Sequence, residues 1–250
     1  MTLGAHRPRR PTAAQAVLAA LGVAQIAYGR SRRPRPPTAT RWMLGLLLAT
    51  SATEALEARG ARQAAASVAA PGAIGLAAEF IGVATGWPFG RYSYSNKLGR
   101  RIGGVPVLAA AAWAIMARPA WVAAGWLSSR PSRRVPLAAG ALTAWDVYLD
   151  PRMVSEGYWS WRRAGRYEGI PASNFAGWFV TGLFAFAVFA MFDSAGPEAR
   201  DDGALRLYVW TWIGEGFANG VLWRRRVPAA AGLTSMGATA LPALTRRLRG

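Results

Sequence analysis

The sequence contains no cysteine and a single histidine, His6. Without cysteine, disulfide frameworks, thiol nucleophiles and cysteine-held iron–sulfur clusters are excluded. One histidine in a basic, proline-containing segment excludes histidine-based metal sites and Ser/His/Asp triads. Acids are scarce: 12 Asp and Glu stand against 30 Lys and Arg, for a formal net charge of +18. Phosphate-cradling loops are missing too, because Gly86 to Gly90 follows a helical run rather than a strand. No run alternates with period two over several segments, which argues against a membrane barrel.

What is present is apolar residues, at 52%, with only 17% charged. They gather in runs: Thr12–Tyr28, Thr40–Leu56, Ala64–Trp87, Val105–Leu127 (interrupted at Arg118-Pro119), Val135–Leu149, Phe175–Phe192, Ala204–Trp223 and a weaker Ala/Gly-rich run, Val227–Leu244. The fuller runs approach the roughly 20 residues that cross a hydrocarbon core of about 30 Å. The expectation is one all-α domain over 1–250, a polytopic transmembrane bundle of seven helices, with eight as the alternative. Basic tails flank it at 1–11 and 245–250. The cytoplasmic (inner) membrane is the expected location. The first run resembles a signal peptide but lacks a small-residue cleavage site, so it reads as a membrane helix. The basic residues, almost all Arg, lie between runs, where they meet anionic headgroups. They do not collect on one face as nucleic-acid binding requires, so lipid is the expected partner and nucleic acid is not.

Two inter-helix segments are unlike ordinary loops. One runs from Gly86-Trp87-Pro88-Phe89-Gly90-Arg91-Tyr92-Ser93-Tyr94 to Val105-Pro106. The other runs from Trp145-Asp146 and Leu149-Asp150-Pro151 through Tyr158-Trp159-Ser160-Trp161 and Tyr167-Glu168 to Asn174-Phe175. A headgroup-level aromatic belt would explain the Trp and Tyr alone. Interleaving with acids and turn residues in only two places points to a site instead.

Asp146 and Asp150 are four apart and share a helix face. Pro151 is expected to help stop that helix. Like charge and desolvation both favour a retained proton on one of the pair. Pairing with Arg152, Arg162 or Arg166 is the structural alternative. Glu79 stands inside the third run, and Glu215 inside the seventh; an ionisable residue at membrane depth suggests function. Glu57 is expected to salt-bridge Arg59 or Arg62. Asp146 and Asp150 also look like half of a prenyltransferase's magnesium-diphosphate motif, but no second half follows.

The segment Gly86–Asn174 resembles the carotenoid biosynthesis protein family. The resemblance rests on Pro88-Phe89-Gly90-Arg91-Tyr92-Ser93-Tyr94, Leu98-Gly99, Gly104-Val105-Pro106, Trp113, Trp145-Asp146, Leu149-Asp150-Pro151, Gly157-Tyr158-Trp159-Ser160-Trp161, Tyr167-Glu168-Gly169-Ile170-Pro171, and Asn174-Phe175 with Gly177-Trp178. It implies a membrane hydratase acting on linear carotenoids, with a carotenoid as hydrophobic partner and other pathway enzymes as neighbours. Hydration involves no redox change, so no cofactor or metal is expected. Our reading of the residues makes Asp146 the general acid, with Asp150 or Glu79 as the base that orients water. Trp145, Tyr158, Trp159, Trp161 and Tyr167 are candidate cation-stabilising faces. Tyr92, Tyr94 and Asn174 are candidate hydrogen-bonding partners, and the substrate enters laterally from the bilayer. A prenyltransferase, a carotenoid cyclase, and a transporter or lipid-binding scaffold are the competing readings.

Overall fold

A computed structural model describes residues 12–31 and 35–249; the expected basic tail 1–11, with His6, lies outside them. Helix α1 (Ala13–Arg30) begins at a capping box, where Thr12 and Gln15 satisfy each other's backbone N–H. Pro37 starts α2 (Pro37–Arg59) at a position where its missing N–H costs nothing. Gly60 alone, at φ 82°, turns the chain into α3 (Ala61–Thr85). Gly86 closes α3 in the left-handed region. The next segment holds three short strands, β1 (Tyr92–Tyr94), β2 (Arg101–Ile102) and β3 (Val105–Pro106).

Helices α4 (Val107–Ile115) and α5 (Ala117–Leu127) form one rod broken at Met116. Pro119 has no N–H for the carbonyl of Ile115, which accounts for the break. Helix α6 (Pro131–Ser155), strand β4 (Trp159–Trp161), α7 (Ala172–Ala190), α8 (Asp202–Phe217), a π-helical turn at Ala218–Leu222, and α9 (Arg226–Arg249) complete the chain. The described residues thus make eight rods in an all-α bundle. The Ala/Gly-rich run is a full helix, so the eight-helix alternative fits the count. Residues 245–249 belong to α9 and are not a separate tail.

Four rods are long and apolar enough to cross a membrane: 61–85, 107–127, 172–190 and 226–249. Their surroundings differ. In the most apolar stretch of 107–127, 83% of residues are buried, against 22% for 61–85. The α4–α5 rod is therefore the central pillar, while α3 presents most of its surface outward. The rods run alternately up and down, as the contacts at their ends show. At one end of the bundle Arg35 pairs with Glu156 at 2.9 Å, and Trp223 donates to Gly29 O at 3.1 Å. At the other, Arg118 joins Glu54 (2.5 Å) and Asp201 (2.8 Å), and Arg59 also holds Asp201. Glu57 does not meet the expected arginines. It accepts from the backbone N–H of Ala14 at 2.9 Å, because Arg59 is drawn to Asp201.

Pro151 does not end α6, which continues to Ser155. A proline there leaves the carbonyl of Val147 without its helical donor. The hydroxyl of Tyr167 donates to that carbonyl at 2.8 Å. The helix survives its proline because another part of the chain supplies the missing hydrogen bond.

Candidate active site

The two aromatic segments meet at the end of the bundle that holds Glu156 and Gly29. Strands β1 and β4, from different loops, pair antiparallel with Tyr92 opposite Trp161 and Tyr94 opposite Trp159. At three residues each, Tyr-Ser-Tyr and Trp-Ser-Trp are too short for their alternation to stand out as strands in the sequence. Their pleat places Tyr92, Tyr94, Trp159 and Trp161 on one face. That face covers the ends of α3 and α6.

Under it lies Glu79 of α3, 5% exposed. Its Oε2 accepts from the hydroxyls of Tyr92 (2.5 Å) and Tyr94 (2.7 Å). Its Oε1 accepts from Trp113 Nε1 at 3.4 Å. Three neutral donors thus converge on one buried carboxyl group. Burial, followed by the charge of Glu79, pushes both tyrosine hydroxyls well above the usual phenol range, so they remain donors. Gly75 and Gly82 flank Glu79 on the same helix face. A Cβ on Gly82 would fall 2.7 Å from the Tyr92 hydroxyl and 2.8 Å from Phe89, so glycine lets the aromatic cover close.

The two aspartates are joined by Asn174, near the start of α7. Its Nδ2 lies 2.9 Å from Asp146 Oδ2 and 2.5 Å from Asp150 Oδ2. Trp159 Nε1 donates to Asp150 Oδ1 at 3.1 Å. Among the described residues, Asp146 Oδ1 has no hydrogen-bond partner. Among the described residues neither aspartate forms an ion pair: Arg152 turns to Glu215 at 3.3 Å instead.

Glu79, Asp150, Asn174, Tyr92, Tyr94, Trp159 and Trp161 line one cavity of about 30 Å³. A water needs roughly 10–15 Å³ of such space. The cavity therefore admits one or two waters and no larger group. Asp146 is fully buried behind Asp150 and does not line it. The carboxyl that faces the cavity from α6 is that of Asp150.

Three expected binding residues lie elsewhere. Trp145 packs edge-on against Trp178 at 6.4 Å, one layer behind the cavity. Tyr158 precedes the paired strand and has Thr40, Tyr28, Glu156 and Arg152 as neighbours. Tyr167 serves the carbonyl of Val147 and packs against Phe175. Conversely, Phe89, Trp178 and Ala109 line the cavity, and Trp113 stacks on Trp178 at 3.9 Å. Trp113 and Trp178 sit inside apolar helical runs, where nothing local separates a cavity wall from packing. Among the described residues, no cluster of three or more Asp, Glu or His side chains has metal-binding geometry.

Fold and site together define a helical membrane protein with buried acids under an aromatic cover. The model of the carotenoid biosynthesis protein family matches residues 40–239, and the chain belongs to that family. The bisanhydrobacterioruberin hydratase of Haloarcula japonica is 28% identical over 185 residues, covering 64% of this chain. The chain spans 63% of the length of that curated relative. No solved structure matches.

Proposed function

We propose that the protein adds water across the terminal trisubstituted double bond of an acyclic carotenoid, giving a tertiary alcohol. The observation that carries this reading is the convergence of Glu79 and Asp150, with Asp146 behind it, from two helices, at an aromatic cavity with room for water. The carotenoid family and the hydratase relative supply the substrate class and the reaction class.

An isolated alkene is a weak base, so its protonation needs a neutral acid in a dry site. The Asp146–Asp150 pair shares one proton, and Asp150 delivers it to the less substituted alkene carbon. The π pair forms the new C–H bond and leaves a tertiary cation at the other carbon. Tyr92, Trp159 and Trp161 line the space beside that cation, and aromatic faces attract positive charge. The cavity water attacks the cation, and its released proton goes to the Glu79 carboxylate. Return of that proton to the aspartate pair through water restores the starting state. One water is consumed and no electrons change hands. No cofactor enters this scheme.

The cavity, at about 30 Å³, must widen to admit a chain end. Trp161 lines both the cavity and an outer groove of about 840 Å³ bordered by Trp87, Pro88 and Arg91. Its indole is held by a hydrogen bond to Phe89 O at 2.9 Å. Swinging that indole aside joins the groove to the acids and admits the carotenoid from the bilayer. The cytoplasmic membrane is the proposed location.

The test is expression of the chain in cells that make lycopene, with mass analysis of extracted pigments. Products heavier by one or two waters, carrying tertiary hydroxyls, are expected. Products of unchanged mass with a new ring would assign the site to a cyclase. Unaltered pigment beside normal levels of membrane-inserted protein would overturn the hydratase reading.

A further inference from the structure

A second cleft lies on the far side of Arg152 from the acids. It measures about 430 Å³, within the range of ligand pockets, and is bordered by α1, α2, α8 and the π-helical turn. Its walls are apolar: Ile26, Met43, Leu47, Ile213, Phe217 and Leu222. Two guanidinium groups, Arg152 and Arg30, line it against one carboxylate, Glu215.

Arg152 is the unusual feature. It is 6% exposed, and Glu215 occupies only its Nη1, at 3.3 Å. Its Nε has no hydrogen-bond partner among the described residues. A buried, charged donor left without an acceptor is costly. Arg30, exposed in the last turn of α1, lines the same cleft and forms no ion pair among the described residues. The cleft also continues. Ile26, Trp210 and Ile213 line both it and a shallower groove of about 860 Å³ that follows α1, α8 and α9 toward the other end of the bundle.

We propose that this cleft binds an anionic membrane phospholipid, with the phosphate on Arg152 and Arg30 and one acyl chain running down the α1–α8 groove. The charge balance selects an anion, and the apolar continuation selects a chain-bearing one. Arginine suits phosphate because its planar fork offers several N–H donors at once. The cleft lies at the end of the bundle where Trp223 and Arg224 to Arg226 place the headgroup level. This inference is independent of the hydration chemistry, since Arg152 and Glu215 do not line the acid cavity.

The full chain would be placed in nanodiscs of equal phosphatidylglycerol and phosphatidylcholine, then released and examined by native mass spectrometry. One phosphatidylglycerol per chain should remain, with at least a tenfold preference over phosphatidylcholine. Arg152→Gln should abolish that preference. Because Arg152 is buried, a second variant guards against misfolding. A Cβ on Gly214 would meet nothing nearer than 4.0 Å, so Gly214→Leu fills the cleft while leaving the arginines and Glu215 intact. It should lose the retained lipid and fold normally. Equal retention of both lipids, no retention, or unchanged retention in a folded Gly214→Leu protein would each overturn the proposal. Retained pigment in place of phospholipid would overturn it as well.

Discussion

Gly75 of α3 is in close contact with the indole of Trp113 on α4: a Cβ at Gly75 would fall 2.1 Å from the indole Cγ. The same indole donates to Glu79 and stacks on Trp178. Gly75 thus sets how closely α3 approaches the cavity wall. Gly75→Val must push α3 and α4 apart or tilt the indole away. Overpacking of this kind costs about 1–3 kcal/mol. The expected result is a lower melting temperature in detergent, together with a loss of hydration larger than the loss of folded protein. Wild-type activity and melting would show that the helices slide without disturbing Glu79.

Which parts of this site were legible in the sequence follows from local chemistry. Glu79, Asp146 and Asp150 stand out because acids are rare in apolar runs. The two aromatic loops stand out through their density of Gly, Pro, Trp and Tyr. The sorting of the aromatics was hidden. Tyr158, Trp159 and Trp161 look equivalent in a row, yet a period-two pleat puts only the last two on the cavity. Tyr167 looks like another site aromatic, but it answers a backbone deficit created by Pro151 sixteen residues earlier. The order of the aspartates was hidden as well: four-residue spacing shows a shared face and not which member lies deeper. Eight rods were nearly countable from hydropathy; the Ala/Gly-rich last one was the weakest because its apolar side chains are small.

The tyrosine pair gives an alkaline signature. Burial raises the hydroxyls of Tyr92 and Tyr94 above the unfolded value of 10.0. Above pH 10 the unfolded chain releases these protons and the native one keeps them, so the unfolded state binds fewer protons and stability falls as pH rises. Each tyrosine contributes a slope of about 1.4 kcal/mol per pH unit there, and nothing below pH 10. Denaturation followed between pH 9 and 12 should show this slope, reduced in Tyr92→Phe. A slope unchanged in that variant would mean that Tyr92 titrates freely.

Arg118 tests the other end of the bundle. It is 1% exposed and bridges Glu54 and Asp201. Removing one partner of a buried ion pair strands the other, at about 3–5 kcal/mol. Arg118→Leu should lower thermal stability by that order and reduce the yield of folded protein. Activity per folded molecule should change little, because the network lies away from the acids. Loss of activity in a protein of normal stability would instead tie Arg118 to the chemistry.

The last test separates the acids. Asp150 faces the cavity, Asp146 stands behind it, and Asn174 touches both. Asn at either aspartate keeps the size and a hydrogen-bonding group but cannot deliver a proton to carbon. Asp150→Asn removes the delivering carboxyl and should reduce hydration by about a hundred- to ten-thousand-fold, the usual worth of general acid catalysis. An unactivated alkene belongs at the upper end of that range. Asp146→Asn leaves Asp150 without the neighbour that shares its proton. Asp150 keeps its place on the cavity, so hydration should fall less than in Asp150→Asn when the two variants are assayed side by side. Glu79→Gln leaves proton delivery in place and removes the acceptor, so hydration falls while substrate binding persists. Glu57→Gln, on the backbone of α1, should leave activity within about twofold, as surface substitutions away from a site usually do. Equal, mild losses at Asp146, Asp150 and Glu79 would make all three structural and would remove the proton donor from this cavity.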